Sequence, residues 1–112
     1  MKIVDLKAFR DLPEGTIASK YDPCIFGDLF IKGRTMEVDF ILTYLTNEIE
    51  ANSSDERFDK LDACEKGESV AMSFDESMRD GCFDDDQLFA VWDKPDIEGL
   101  IATLTTSLSA YS

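Results

Sequence analysis

The stretch Leu88-Phe-Ala-Val-Trp92 constrains this chain more than any other. A run that is apolar at every position has no polar face to offer water, so a strand built from it belongs in the middle of a sheet, covered on both sides. Five residues is strand length rather than helix length. The chain must therefore build a sheet around residues 88–92.

Immediately upstream stands "ESMRDGCFDDDQ", residues 76–87, a segment rich in like charges. Such a segment stays in water while the strand beside it goes inside, and loops held by a rigid scaffold are where binding residues tend to sit.

The flanking segments supply the other elements. Asp5 caps a short helix in which Leu6, Phe9 and Leu12 recur at helical spacing, with Pro13 and Gly15 ending it. "TIASKY" alternates as a strand, "DPCIFGD" is a turn, and "LFIKG" is a second strand. Residues 37–49, "EVDFILTYLTNEI", read as strand or helix. Val38, Ile41, Leu42, Leu45 and Ile49 share one helical face, and helix is the reading adopted. Ser53 and Glu56 form a capping box ahead of a helix whose Phe58, Leu61 and Cys64 face inward, ending at Gly67. "SVAMSF" alternates with Val70, Met72 and Phe74 inward. A last helix is capped by Asp93, carries Pro95 in its first turn, and buries Ile97, Leu100, Ile101, Leu104 and Leu108.

The order helix, strand, strand, helix then occurs twice. Residues 29–49 align without a gap on residues 88–108, with Leu29, Phe30, Leu45 and Thr46 recurring as Leu88, Phe89, Leu104 and Thr105. The expected fold is one small α+β domain over residues 1–112, an antiparallel sheet of about four strands with packed helices. The alignment suggests an αββα duplication in halves 1–50 and 53–110.

At 112 residues with 44% apolar composition, the chain is long enough to bury a core without metal or disulfide staples. Its three cysteines form no CxxC pair and histidine is absent, which disfavours a zinc site. No run has signal-peptide or membrane-spanning character, so a cytoplasmic protein with reduced thiols is expected.

Charge bears most directly on function. The net charge is −13, and it is uneven: residues 1–35 carry five acids and six bases, the remainder nineteen acids and five bases. Such a surface disfavours direct binding to nucleic acid or anionic membrane and speeds encounter with a basic protein.

Specific chemistry is harder to build. In an EF-hand frame set by Asp80-Gly81, Met78 and Gln87 would fall at ligand positions three and twelve, and neither suits a hard cation. No histidine serves as a base, no nucleophile–base pair can be assembled, and the glycines make no phosphate cradle. A non-enzymatic protein without cofactor or metal is expected. The candidate partner-binding residues are Asp75, Glu76, Asp80, Phe83, Asp84, Asp85, Asp86 and Asp93. Asp84 and Asp86 would project together, about 6.6 Å apart, if the strand begins there. Phe83 would be an apolar anchor within a ring of acids. Inhibitors that cover the basic surface of a nuclease or other nucleic-acid-handling protein work on this physics; immunity, anti-restriction and anti-CRISPR proteins of phage type are the analogy, by charge and size. The alternative is a cytosolic adaptor or scaffold subunit docking through apolar residues such as Phe40, Tyr44 or Tyr111.

Overall fold

A computed structural model describes residues 1–81 and 84–111. The chain forms β1 (Lys2–Asp5), α1 (Leu6–Arg10), β2 (Ile17–Asp22), β3 (Ile25–Phe26), β4 (Phe30–Thr35), β5 (Phe40–Tyr44), β6 (Glu48–Ile49), α2 (Ser54–Glu65), β7 (Met72–Ser73), β8 (Ser77–Arg79), β9 (Leu88–Val91) and α3 (Lys94–Leu108). Helices and an antiparallel sheet together make the α+β class expected from the sequence.

The sheet is larger than the expected four strands. Seven strands pair in the order β1-β9-β2-β4-β5-β8, with β3 hanging from β2, and β6 pairs separately with β7. The additional strands are short or lie in segments read as turn, loop or helix. β9 sits between β1 and β2 with Phe89, Ala90 and Val91 buried, the central position its composition requires.

Residues 37–49 are the main correction. They form a tight turn, in which the Met36 amide donates to the Asp39 carbonyl at 2.8 Å, followed by β5 and β6 rather than a helix. Phe40 and Leu42 are buried while Ile41 and Thr43 are half-buried, a period of two. β5 pairs with β4 (Phe30 opposite Tyr44, Lys32 opposite Leu42), and the register shifts between Lys32 and Thr35. A Cβ on Gly33 would lie 3.1 Å from the Ile41 Cβ, so the glycine allows the strands to approach at that irregularity. The duplication is not confirmed: residues 40–44 are strand, whereas their alignment partners, residues 99–103, lie within α3.

One core lies under α1. Phe9 stacks on Phe89 with centroids 4.2 Å apart and meets Phe30 and Phe40 edge-on, and Leu6, Ala18, Leu42 and Val91 close the cluster. α1 begins as the sequence indicated, with the Asp5 carboxylate accepting from the Ala8 amide at 2.8 Å.

The caps of α2 and α3 form as expected, but their inward stripes do not. Ser53 accepts from the Glu56 amide, and the Glu56 carboxylate reaches back one residue further than expected, to the Asn52 amide at 3.0 Å. Asp93 and Asp96 form a reciprocal capping box on α3. Neither helix has a buried residue. Phe58 is exposed on α2, as are Ile101, Leu104 and Leu108 on α3. The alternation in residues 69–74 is inverted at its end: Val70 is half-buried between exposed neighbours, but Ser73 is buried while Met72 and Phe74 face out.

Candidate partner-binding surface

The segment from β8 to β9 must travel from one sheet edge to a strand near the other. Its first residues are fastened inward. The Asp80 amide donates to the Phe40 carbonyl at 2.9 Å, and the Gly81 amide to Asp39 Oδ2 at 3.1 Å. The Asp80 side chain is 3% exposed and lies 3.0 Å from Lys20 Nζ. Asp80 is thus paired through Oδ1 and acts as an anchor of the loop, while its Oδ2 is buried without a hydrogen bond among the described residues, so little of the carboxylate is left for a partner.

Its last residues turn outward. Asp84, Asp85 and Asp86 are all exposed, in a turn closed by the Gln87 amide donating to the Asp84 carbonyl at 3.0 Å. The Asp86 amide donates to Asp84 Oδ1 at 2.9 Å, the Asx geometry that Asp favours in turns. The strand begins at Leu88, so these three side chains follow the turn rather than a pleat. Gln87 Nε2 ties the turn down by donating to the carbonyls of Leu88 (2.9 Å) and Tyr21 (3.3 Å).

Register adds two carboxylates that sequence reasoning missed. Leu88 is opposite Asp5 on one side and Tyr21 on the other, so Asp5 and Asp22 reach the same end of the sheet as Asp84–Asp86. Only strand pairing brings them there, and nothing local in the sequence signals it.

The other candidates lie elsewhere. Asp93 is at the far end of β9, at most about 23 Å along the chain from Asp86. It caps α3 and receives the Met1 amino group at 2.8 Å. Asp96 also meets that amine, which holds the Asp96 carboxyl below its ordinary value, and Asp93 first and Asp96 second raise the amine above its own. Asp75 accepts from Ser73 Oγ at 3.1 Å. Glu76 is half-buried beside Ser53 and Arg57 in a small hollow near the start of α2. Phe83 lies outside the described residues. Among the described residues, no three acid or cysteine side chains converge as metal ligands, and no helix is long and apolar enough to cross a membrane.

Of the apolar candidates, Phe40 is fully buried in the core, Tyr44 packs against it, and Tyr111 is exposed. The larger apolar features are on α3. A groove of about 630 Å³ runs between Phe26, Leu29 and Trp92 on the sheet side and Gly99, Leu100 and Thr103 of α3. Next to it, the outer face of α3 is open to water. That face was legible as a 3.6-residue repeat in the sequence; its exposure was not.

Compared with family models, with curated proteins and with solved structures, the chain matches none.

Proposed function

We propose that this protein is a small acidic, non-enzymatic inhibitor that covers the basic surface of a nucleic-acid-handling protein in the cytoplasm, in the manner of toxin-immunity, anti-restriction or anti-CRISPR proteins. The observation that carries this reading is the exposed turn Asp84–Asp86, joined at one sheet end by Asp5 and Asp22, on a chain of net charge −13. Adjacent like charges repel one another, and lysines or arginines of a partner relieve that repulsion while steering the encounter. Rows of carboxylates can also occupy a groove that otherwise holds phosphates. The turn is pinned by Gln87 and by its own Asp84–Asp86 hydrogen bond, so little ordering entropy is lost there when a partner arrives.

A second reading, an adaptor that docks through an apolar surface, is favoured by the exposed Ile101, Leu104 and Leu108. Salt separates the two, because electrostatic capture loses on-rate as ionic strength rises and apolar docking does not.

The test is to pass host lysate over the immobilised protein at low salt and elute with a salt gradient, beside a variant with Asp84, Asp85 and Asp86 all changed to Asn. The inhibitor reading expects a basic nucleic-acid-binding protein held by the wild type alone, with an association rate that drops about tenfold or more at physiological salt. Retention of one partner by both forms at high salt replaces it with the adaptor reading.

A further inference from the structure

We propose that α3 is the interface of a homodimer, in which two copies pack their helices antiparallel along Ile97, Ile101, Leu104, Leu108 and Tyr111. Ile97, Ile101, Leu104 and Leu108 of α3 are spaced 4-3-4, the interval that keeps one seam of a helix facing a partner helix, and Tyr111 follows just past the Ser109 cap. Ile97 is half-buried, while Ile101, Leu104, Leu108 and Tyr111 are 58%, 59%, 68% and 79% exposed. At 100° per residue Gly99 and Thr103 lie about 120° or more from the middle of the seam and Leu100 about 60°, so closing the groove would leave Ile101 and Leu108 uncovered.

The helix itself calls for a partner. It is 15 residues long, carries Gly99 and three threonines, and buries none of its side chains within the chain. An isolated helix of that length is marginal in water, and helical stability in proteins comes mostly from packing an apolar face.

Surface area points to a second copy. A folded monomer of 12.6 kDa exposes about 6,200 Å². This chain exposes 7707 Å², about 1,500 Å² more. Its radius of gyration is 16.1 Å, against about 13 Å for a compact chain of this length. A standard interface takes about 800 Å² from each partner, so the excess is sufficient. α2 contributes to it, but that helix is studded with Asp55, Glu56, Asp59, Asp62 and Glu65 and suits water.

Charge selects both the surface and the direction. Two chains of net −13 repel, and the segment after Glu98 carries no Asp, Glu, Lys or Arg. That segment is where two such bodies can meet at least cost. A parallel pair would align Asp93, Asp96 and Glu98 with their copies, while an antiparallel pair centred on Leu104 keeps them apart. The acidic turn of residues 84–86 is at the other end of β9, so the dimer neither requires nor blocks the proposed inhibitory surface.

The test is sedimentation velocity of the full chain at ~1, 10 and 100 μM. The expected result is twice the chain mass at the upper concentrations, loss of the dimer in Leu104→Glu by at least ~100-fold in dissociation constant, and retention in Thr106→Glu, whose side chain is on the opposite face. At the lowest concentration both variants should share the wild-type urea transition; if Leu104→Glu unfolds, Leu104→Ser replaces it. A wild type that is monomeric at 100 μM overturns the proposal, as does a dimer indifferent to position 104 or equally broken at position 106. In a background with the native cysteines changed to serine, Ile97→Cys should cross-link to Tyr111→Cys of another chain, and self-linking of Ile97→Cys alone would refute the antiparallel arrangement.

Discussion

Arg79 Nε donates to Oδ2 of Asp39, joining the edge strand β8 to a carboxylate with no solvent exposure. The Gly81 amide donates to the same oxygen, so one buried acid fixes both the end of β8 and the start of the loop that carries the acidic turn. The guanidinium holds the Asp39 carboxyl below its ordinary value of 3.8, against the opposing effect of burial. A carboxylate depressed in the folded state contributes stability above its unfolded pKa and loses it as pH falls through the folded one. The wild type should therefore exceed Asp39→Asn in urea midpoint by a constant margin from pH 5 to 8, and the margin should narrow below about pH 4. Arg79→Met should shift the acid transition upward, because the buried carboxylate then lacks its counter-charge. Trp92 fluorescence against urea at stepped pH measures both, and a margin that does not change with pH would mean the pair is not what stabilises this edge.

Phe9 and Phe58 both belong to apolar stripes of capped helices, yet the fold treats them oppositely. Phe9 is fully buried and touches the rings of Phe30, Phe40 and Phe89; Phe58 is 64% exposed. Phe9→Ala should cost about 3–5 kcal/mol through lost contacts and the cavity left behind. Phe58→Ala should stay within about 0.5 kcal/mol. Equilibrium urea unfolding separates the two outcomes, and comparable losses would mean that α2 packs against the body in solution.

That contrast shows where local pattern stops being informative. The apolar run at residues 88–91, the Asp5, Ser53 and Asp93 caps and the α+β class were legible because each depends on neighbours within a few residues. Residues 37–49 were not, since Val38, Ile41, Leu42, Leu45 and Ile49 satisfy a helical face while Phe40 and Leu42 satisfy a strand. What decides is the cross-strand company of Phe30, Lys32 and Met78, which is distant in sequence. The acidic surface divides in the same way. The exposure of Asp84–Asp86 could be read from their polarity, but the Lys20 contact of Asp80 and the arrival of Asp5 and Asp22 come from tertiary pairing alone.

Lys32 carries the last prediction. It is 2% exposed on β4, on the same face as Phe30, and its Nζ donates to the carbonyl of Gly33 at 3.1 Å and to Thr35 Oγ1 at 2.8 Å. Thr35 in turn donates to the Arg10 carbonyl, so the amine helps join β4 to the end of α1. Burial pushes its pKa below the ordinary 10.5, while Glu14 and Asp11 pull the other way. For a base depressed in the folded state, the unfolded chain holds the proton to higher pH. Folding is therefore disfavoured while the amine is charged, and that cost fades as pH rises from the folded pKa towards 10.5. Lys32→Met keeps the volume and removes the charge. Its neutral-pH stability should remain within about 1.5 kcal/mol of wild type, two lost hydrogen bonds opposing the removed desolvation. Lys32→Ala, which also empties the space, should cost about 2 kcal/mol or more. Urea midpoints between pH 7 and 10.5 give the decisive comparison: wild type should gain relative to Lys32→Met as pH climbs, and parallel curves would show that the amine titrates alike in the folded and unfolded chain.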